Sequence, residues 1–398
     1  MTGSILCTCT YLFVFKYLGF FATIINDVAS AFHLQYNLAV LSIIIPIGLS
    51  FHTFQSMSYV IEVYRGRQSV QTHFGKYALY VLFYPQLVAG PIERPQHLMP
   101  QFEIEHTFEY ARVMSGLRLI LWGLFKKMVI ADTLALTVDA FVPTMSTIYY
   151  FNSFLVVVGI LFFAFQIYCD FSGYSDMAVG IGRVMGFSLT QNFNRPYFSK
   201  SISEFWRRWH ISLCTWFRDY VYIPLGGNRV SKRRWIFNIF VVFAISGLWH
   251  GANWTFLLWG LLNGFFIVME DMTRTYFRKK ESFLWDIKGM LSTFLLSCVA
   301  WLFFRMPDLK SISKFFVLLL DPSQYSDAIT LLVRDFPTFS LILVVVLLVV
   351  EYAQESGIVE TWRVCKEKWF AFSAFLLLAL SIYLFGVFDE KAFIYFQF

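Results

Sequence analysis

Apolar stretches long enough to cross a lipid core recur along almost the whole chain, and polar residues collect in the short breaks between them. Windows of about 20 predominantly apolar residues can be drawn at 6–25, 38–61, 114–131, 148–169, 235–249, 254–269, 288–305, 337–351 and 369–388, with shorter apolar pieces near 77–91, 173–188 and 313–320. The pattern predicts an all-α, polytopic membrane protein with about nine to eleven passes. Some of these are broken or re-entrant, because lipid tolerates only backbone that satisfies itself or lies against protein. The first window lacks the early basic residues of a signal peptide and runs directly into more apolar sequence, so it reads as a retained span. No linker-like segment and no repeat of fixed period divides the chain, which reads as one membrane domain over 1–398.

One break in this pattern carries chemistry. In SGLWHGANWTFLLWG (246–260), His250, Gly251, Ala252 and Asn253 separate the uncharged runs WIFNIFVVFAI (235–245) and WTFLLWGLLNGFFIV (254–268). Polar groups at membrane depth are a functional-site hypothesis; the alternative is a satisfied histidine in a surface loop. Arg229, Lys232, Arg233 and Arg234 precede the pair of runs, and Arg274, Arg278, Lys279 and Lys280 follow it. The excess of cations at both ends predicts a hairpin with both ends in the cytoplasm. Each half, of about 15 residues, reaches about 22 Å, short of the far side of a core about 30 Å thick. His250 is then placed inside the membrane, where an imidazole kept neutral by burial can accept a proton from an attacking hydroxyl.

A second polar stretch covers 168–229. Ser201 and Glu204 have the spacing of a capping box. From there Phe205, Trp206, Trp209, Leu213, Trp216 and Tyr220 fall on one helical face, with Arg207 and Arg218 facing away. Such a helix is expected to lie along the membrane interface, with His210 at the edge of its apolar face, either lining a cavity or snorkelling. Pro224, Leu225, Gly226, Gly227 and Asn228 end it in a turn. Upstream, Asp170 and Asp176 flank a run containing Gly173, Gly180, Gly182 and Gly186. This run fits close helix packing and not a dinucleotide fingerprint, which needs a preceding strand. The segment YPQLVAGPIERPQHLMPQF (84–102) has too many prolines for a continuous helix; its Glu93, Arg94 and His97 either bind a headgroup or substrate or form a solvated loop.

Composition agrees with this picture. The 398 residues are 58% hydrophobic, 20% aromatic and only 15% charged, which excludes an ordinary soluble domain. The net charge of +6 comes from clusters at 65–67, 195–208, 229–234 and 274–280. Between spans these read as loops beside anionic lipid headgroups and not as a nucleic-acid surface. The six cysteines, Cys7, Cys9, Cys169, Cys214, Cys298 and Cys365, show no metal-ligand or disulfide spacing, so no metal is expected.

With these motifs the chain resembles the membrane-bound O-acyltransferase family, and within it the bacterial alginate O-acetylation branch. The matching text runs from IPIGLSFHTFQSMSYVIEVYRG (45–66) through YPQLVAGPIERPQHLMPQF, GLFKKMVIADTL (123–134), the 168–229 stretch and SGLWHGANWTFLLWG to FIYFQF (393–398). The resemblance implies a multi-pass enzyme of the bacterial inner membrane, with His250 as the catalytic residue and His210 as the family's second polar position. It implies acetyl-CoA as donor, a polysaccharide hydroxyl outside the membrane as acceptor, and a periplasmic acetyltransferase with a serine nucleophile as partner. Asn253 and nearby backbone N–H groups are expected to polarise the thioester carbonyl, and Trp249, Asn194 and Arg195 to contact substrate. Family members usually carry two or three further spans before the LFVFKYLGFF-like stretch, so the chain reads as shortened at its amino end. Rival expectations are peptidoglycan O-acetylation, D-alanyl transfer to teichoic acid, a transporter, and an inactive scaffold.

Overall fold

The computed structural model describes residues 1–40, 46, 48–87, 90–142, 152–273, 282–323, 325, 329–330, 333, 337–358, 368–388 and 393. The second basic run at 274–280, Cys365 and most of the FIYFQF ending lie outside the described residues. Among the described residues every regular element is helical. In chain order the longer ones are α1 (Thr2–Ala31), α2 (Leu49–Tyr64), α3 (Phe74–Val81), α4 (Tyr110–Leu124), a π-helical segment (Phe125–Ala131), α5 (Asp132–Phe141) and α6 (Ser153–Met185). There follow α7 (Ile202–Arg208), α8 (Ile211–Phe217), α9 (Lys232–His250), α10 (Trp254–Thr273), α11 (Phe283–Arg305), α12 (Leu309–Leu319), α13 (Thr338–Glu355) and α14 (Lys368–Phe385). Among the described residues, five helices (α1, α6, α10, α11 and α13) are both long and apolar enough to cross a membrane. The chain is a multi-pass membrane protein.

Several apolar windows resolve differently from the simple expectation. Between Ser153 and Met185 the windows at 148–169 and 173–188 are one helix, α6, whose 33 residues extend about 50 Å. The 38–61 window is helical from Leu49, after Gly48 at φ +74°. The 114–131 window passes from α4 into the π-helical segment, which carries Lys126 and Lys127. Both are buried and ion-paired: Lys127 with Asp132 (2.7 Å) and Asp170 (2.6 Å), Lys126 with Asp176 (2.8 Å). A buried cation is stable only with such partners, which gives Asp170 and Asp176 a structural role.

The long helix α6 forms the centre, packed against α4, α5, the π-helical segment, α11 and α12. Its contact with α4 is backbone to backbone: Gly116 meets Gly180 and Gly123 meets Gly173, each close enough that an added Cβ stands under 3.0 Å from the facing carbonyl oxygen. Small residues allow this approach where the hydrophobic effect does not favour one neighbour over lipid. Gly173 and Gly180 of the glycine run thus serve close packing as expected, whereas Gly182 faces Leu189 and Gly186 ends α6 at φ +101°.

Candidate active site

Helices α9 and α10 form a hairpin as expected, but with arms of 19 and 20 residues, longer than the expected length of about 15. Gly247 and Gly260 let them touch: a Cβ on Gly260 falls 2.2 Å from the carbonyl oxygen of Phe243, and one on Gly247 falls 2.3 Å from that of Phe256. At the open end, Lys232 of α9 pairs with Asp271 of α10. At the closed end, α9 terminates on His250, which is buried. Its ring lies among aromatic rings, with centroids 4.9 Å from Trp249, 4.9 Å from Trp259 and 5.4 Å from Phe304.

The last carbonyls of a helix have no partner within it and carry partial negative charge. Here α1 supplies the donors. Lys16, in a π-helical turn of α1, donates through Nζ to the carbonyls of Trp249 (2.5 Å) and His250 (3.1 Å), and the Tyr17 hydroxyl donates to that of Leu248 (2.9 Å). The backbone carrying His250 is thereby fixed from outside the hairpin.

His210 reaches the same place by another route. The expected continuous helix over 201–220 is two short helices, α7 and α8, broken at Trp209 and His210, where His210 takes a left-handed backbone conformation (φ +44°). Its aromatic face does not lie on lipid headgroups: Phe205, Trp209, Leu213 and Trp216 are each 2–3% exposed, inside the protein. The amphipathic pattern is the same for a helix buried against protein as for one at an interface, so the location was not decided by periodicity. Arg207 and Arg218 are exposed as expected, and Ser201 Oγ accepts from the Glu204 N–H, as the capping box requires.

The break is held by side chains. Asn192 Oδ1 accepts from Ser212 Oγ (2.6 Å), Ser212 Oγ accepts from the Ile92 N–H (3.0 Å), and the Ile211 N–H donates to the Asn192 carbonyl (2.9 Å). The His210 ring, 1% exposed, lies 4.6 Å from Phe171 and 6.3 Å from Trp249 by centroids. The Trp249 indole therefore stands against both imidazoles. Neither ring nitrogen of His210, nor the Nε1 of Trp249 or Trp259, has a hydrogen-bond partner among the described residues. Buried polar atoms are normally paired. Several unpaired donors and a histidine around one aromatic pocket fit a polar ligand group, such as an acyl carbonyl or a hydroxyl.

The sequence profile of the membrane-bound O-acyltransferase family matches residues 67–307, a segment that contains both histidines. The chain belongs to the membrane-bound O-acyltransferase family. It is 41% identical over 300 residues to a probable alginate O-acetylase of Pseudomonas aeruginosa, an overlap covering 74% of this chain and 55% of that protein. It is 37% identical over 326 residues to a peptidoglycan O-acetyltransferase of Helicobacter pylori, covering 75% of this chain and 60% of the relative. A teichoic acid D-alanyltransferase of Bacillus subtilis is 28% identical over 272 residues, covering 65% and 68%. The chain thus spans little more than half the length of the O-acetylase relatives.

In this membrane-bound O-acyltransferase the other expected contacts are placed unevenly. Trp249 is at the centre of the pocket. Asn253 serves the hairpin turn: its Oδ1 accepts from the Thr255 N–H (3.1 Å) and its Nδ2 donates to the Pro307 carbonyl (3.0 Å). Arg195 pairs through Nε with Glu355 of α13 (2.6 Å), beside Arg208, and the Asn194 N–H donates to the Arg208 carbonyl (2.9 Å). Among the described residues no group of three His, Cys, Asp or Glu side chains comes together as a metal site. Lys16, Tyr17, Asn192 and Trp259 escaped the sequence reading. Only Lys16 left a trace there, as the one cation within the first apolar window.

Proposed function

We propose that the chain is an O-acetyltransferase of the bacterial inner membrane, taking the acetyl group of a cytosolic thioester, acetyl-CoA, and passing it toward a polysaccharide hydroxyl outside. The observation that carries this reading is the buried His250–Trp249–His210 pocket within the matched family segment. In the reaction, an imidazole nitrogen of His250 accepts the proton of the attacking hydroxyl as its oxygen bonds to the thioester carbonyl carbon. The tetrahedral oxyanion is stabilised by buried donors, for which the indole N–H groups of Trp249 and Trp259 are at hand. Collapse breaks the carbon–sulfur bond, and the imidazolium returns its proton to the departing thiolate. His210 assists as a second acceptor or lines the path of the hydroxyl.

The receiving hydroxyl belongs to alginate or a related envelope polymer, directly or through a periplasmic acetyltransferase with a serine nucleophile. The names of the relatives from P. aeruginosa and H. pylori support alginate and peptidoglycan, respectively, as acceptor types. His250→Ala is expected to lower polymer acetylation in a complemented strain by at least about 100-fold, with membrane insertion and protein level unchanged. Retention of most acetyl groups at equal protein level would remove His250 from catalysis. Equal acetylation in a strain lacking the chain altogether would remove the function itself.

A further inference from the structure

Asn192 supports the break at His210 through one branch of its side-chain amide, and the other branch is left over. The residue is 1% exposed. Its Oδ1 accepts from the Ser212 hydroxyl (2.6 Å) and from the Ser212 N–H (3.3 Å). These bonds fix the orientation of the amide, because Nδ2 in that place would set donor against donor at the Ser212 N–H. Nδ2 therefore occupies the other branch, where it has no hydrogen-bond partner among the described residues. Ser212 Oγ in turn accepts from the Ile92 N–H (3.0 Å), so a third segment steadies the amide and presets its donors.

The local register puts this amide across from His210. The Asn194 N–H donates to the Arg208 carbonyl and the Ile211 N–H to the Asn192 carbonyl, each at 2.9 Å. Between these bonds Phe193 stands alone against Trp209 and His210. His210 is the left-handed one of that pair, and an extra residue of this kind re-aims a side chain, as a bulge does in a sheet. The Phe193 ring lies 6.4 Å from the His210 ring and 5.0 Å from that of Phe171, itself 4.6 Å from His210, all between centroids. Asn192 and His210 are thus neighbours across the break, both buried and both with unpaired nitrogen.

The unpaired groups define what fits between them. A neutral imidazole offers one N–H donor and one lone pair, and the Nδ2 of an amide offers two N–H donors. A thioester carbonyl only accepts, and leaves the imidazole lone pair unused. A hydroxyl does both: its hydrogen goes to the imidazole and its oxygen accepts from Nδ2. Buried donors are normally paired, and a site built to bond a hydroxyl discriminates against groups that lack one. We propose that Asn192 binds, through Nδ2, the hydroxyl of the acyl acceptor beside His210. This rests on the acetyl-transfer reading above and divides the pocket. The acceptor takes the side of Asn192 and His210, and the donor carbonyl the side of the Trp249 and Trp259 indoles.

The test measures equilibrium binding to the full chain in nanodiscs of phosphatidylcholine. The probes are a mannuronate trisaccharide, as the sugar of alginate, the uncharged mannotriose, and acetyl-CoA. Asn192→Asp keeps the Oδ1 acceptor and removes the N–H donors, whereas Ser212→Ala keeps the donors and removes a support. Asn192→Asp is expected to weaken both sugars about tenfold and Ser212→Ala to change them by less than about twofold, with acetyl-CoA binding unaffected in both. Loss confined to the charged sugar would be repulsion by the new carboxylate, and equal losses in the two variants would make Asn192 a support for the break alone; either result overturns the proposal. So does weakened acetyl-CoA binding with unchanged sugar binding, or an unmodified chain that binds neither sugar. Amide-dependent sugar binding in a chain that transfers no acetyl group would sustain the Asn192 site and remove the function proposed above.

Discussion

Two segments bring an imidazole to the same tryptophan by opposite means. His250 closes a regular helix, and its backbone is steadied by Lys16 and Tyr17 of another helix. His210 interrupts a helix in a left-handed conformation, held by neighbours in the Asn192–Ser212 network. In the first case regular structure delivers the ring and the cost falls on orphan carbonyls, which a distant cation satisfies. In the second, local strain of about 1–2 kcal/mol is tolerated because surrounding hydrogen bonds determine the conformation. A residue held in strain by its surroundings is characteristic of functional sites, whereas a helix terminus carries no such strain and needs only partners for its last carbonyls.

The largest effect separating the two segments is expected in the hairpin. Gly260→Val puts a side chain where Phe243 backbone already stands, 2.2 Å from the would-be Cβ, and backbone cannot give way as a side chain can. A loss of about 2–3 kcal/mol is expected from such overpacking, read as a lower unfolding midpoint in detergent together with lost acetylation. Gly264→Ala, with no neighbour closer than 3.4 Å, serves as the control and should leave both nearly unchanged. Equal tolerance at the two positions would mean that His250 is not positioned by close contact between α9 and α10.

The same contrast explains what the sequence made legible. The hairpin is readable because its apolar runs, its flanking charge and its polar turn are all local, and α9, α10 and the buried His250 follow from them. Lys16 is not, since its carbonyl partners lie more than 230 residues away and a lone lysine in an apolar run gives no sign of where it docks. The expectation of a surface-lying helix over 201–220 failed for a physical reason: apolar spacing specifies a buried face but not whether lipid or protein buries it. Periodicity also continues smoothly through His210, with no glycine or proline to announce the break. Glu93, expected either to meet ligand or to sit in a solvated loop, is fully buried, accepting from the Thr190 N–H (2.5 Å) and bonding His97 (2.6 Å). That partnership joins segments 97 residues apart, beyond any local signal.

A smaller but sharper test uses alanine and glycine at both histidines. Either replacement removes the ring, so cavity effects nearly cancel within each pair. At position 210, φ is +44°, and glycine should be more stable than alanine by about 1 kcal/mol. At position 250, within α9, alanine should be the more stable by about 0.5–1 kcal/mol. The measurement is the unfolding midpoint of the four purified variants. The same order at both sites would mean that the left-handed break is not a property of the folded protein.

The smallest effect concerns the loop that backs His210 through the Ile92–Ser212 bond. His97 Nδ1 lies 2.6 Å from Glu93 Oε2, and this hydrogen bond raises the His97 pKa above its ordinary 6.5, against an opposing effect of burial. A raised folded value means that the charged pair adds stability fully below the unfolded value and loses it as pH climbs through the folded one. The neutral ring can still donate to Glu93, and the His97 side chain is 44% exposed, so solvent screening keeps the change below about 1 kcal/mol. The unmodified chain should therefore lose slightly more stability between pH 5.5 and 8.5 than His97→Gln, with the difference developing above pH 6.5. Because Gly247, Gly260 and Lys16 steady His250 without this loop, the His250 hairpin should show no such difference in hydrogen exchange. If instead exchange in α9 followed the His97 titration while exchange around Ser212 did not, the two histidine segments would be coupled differently from the separate supports described above.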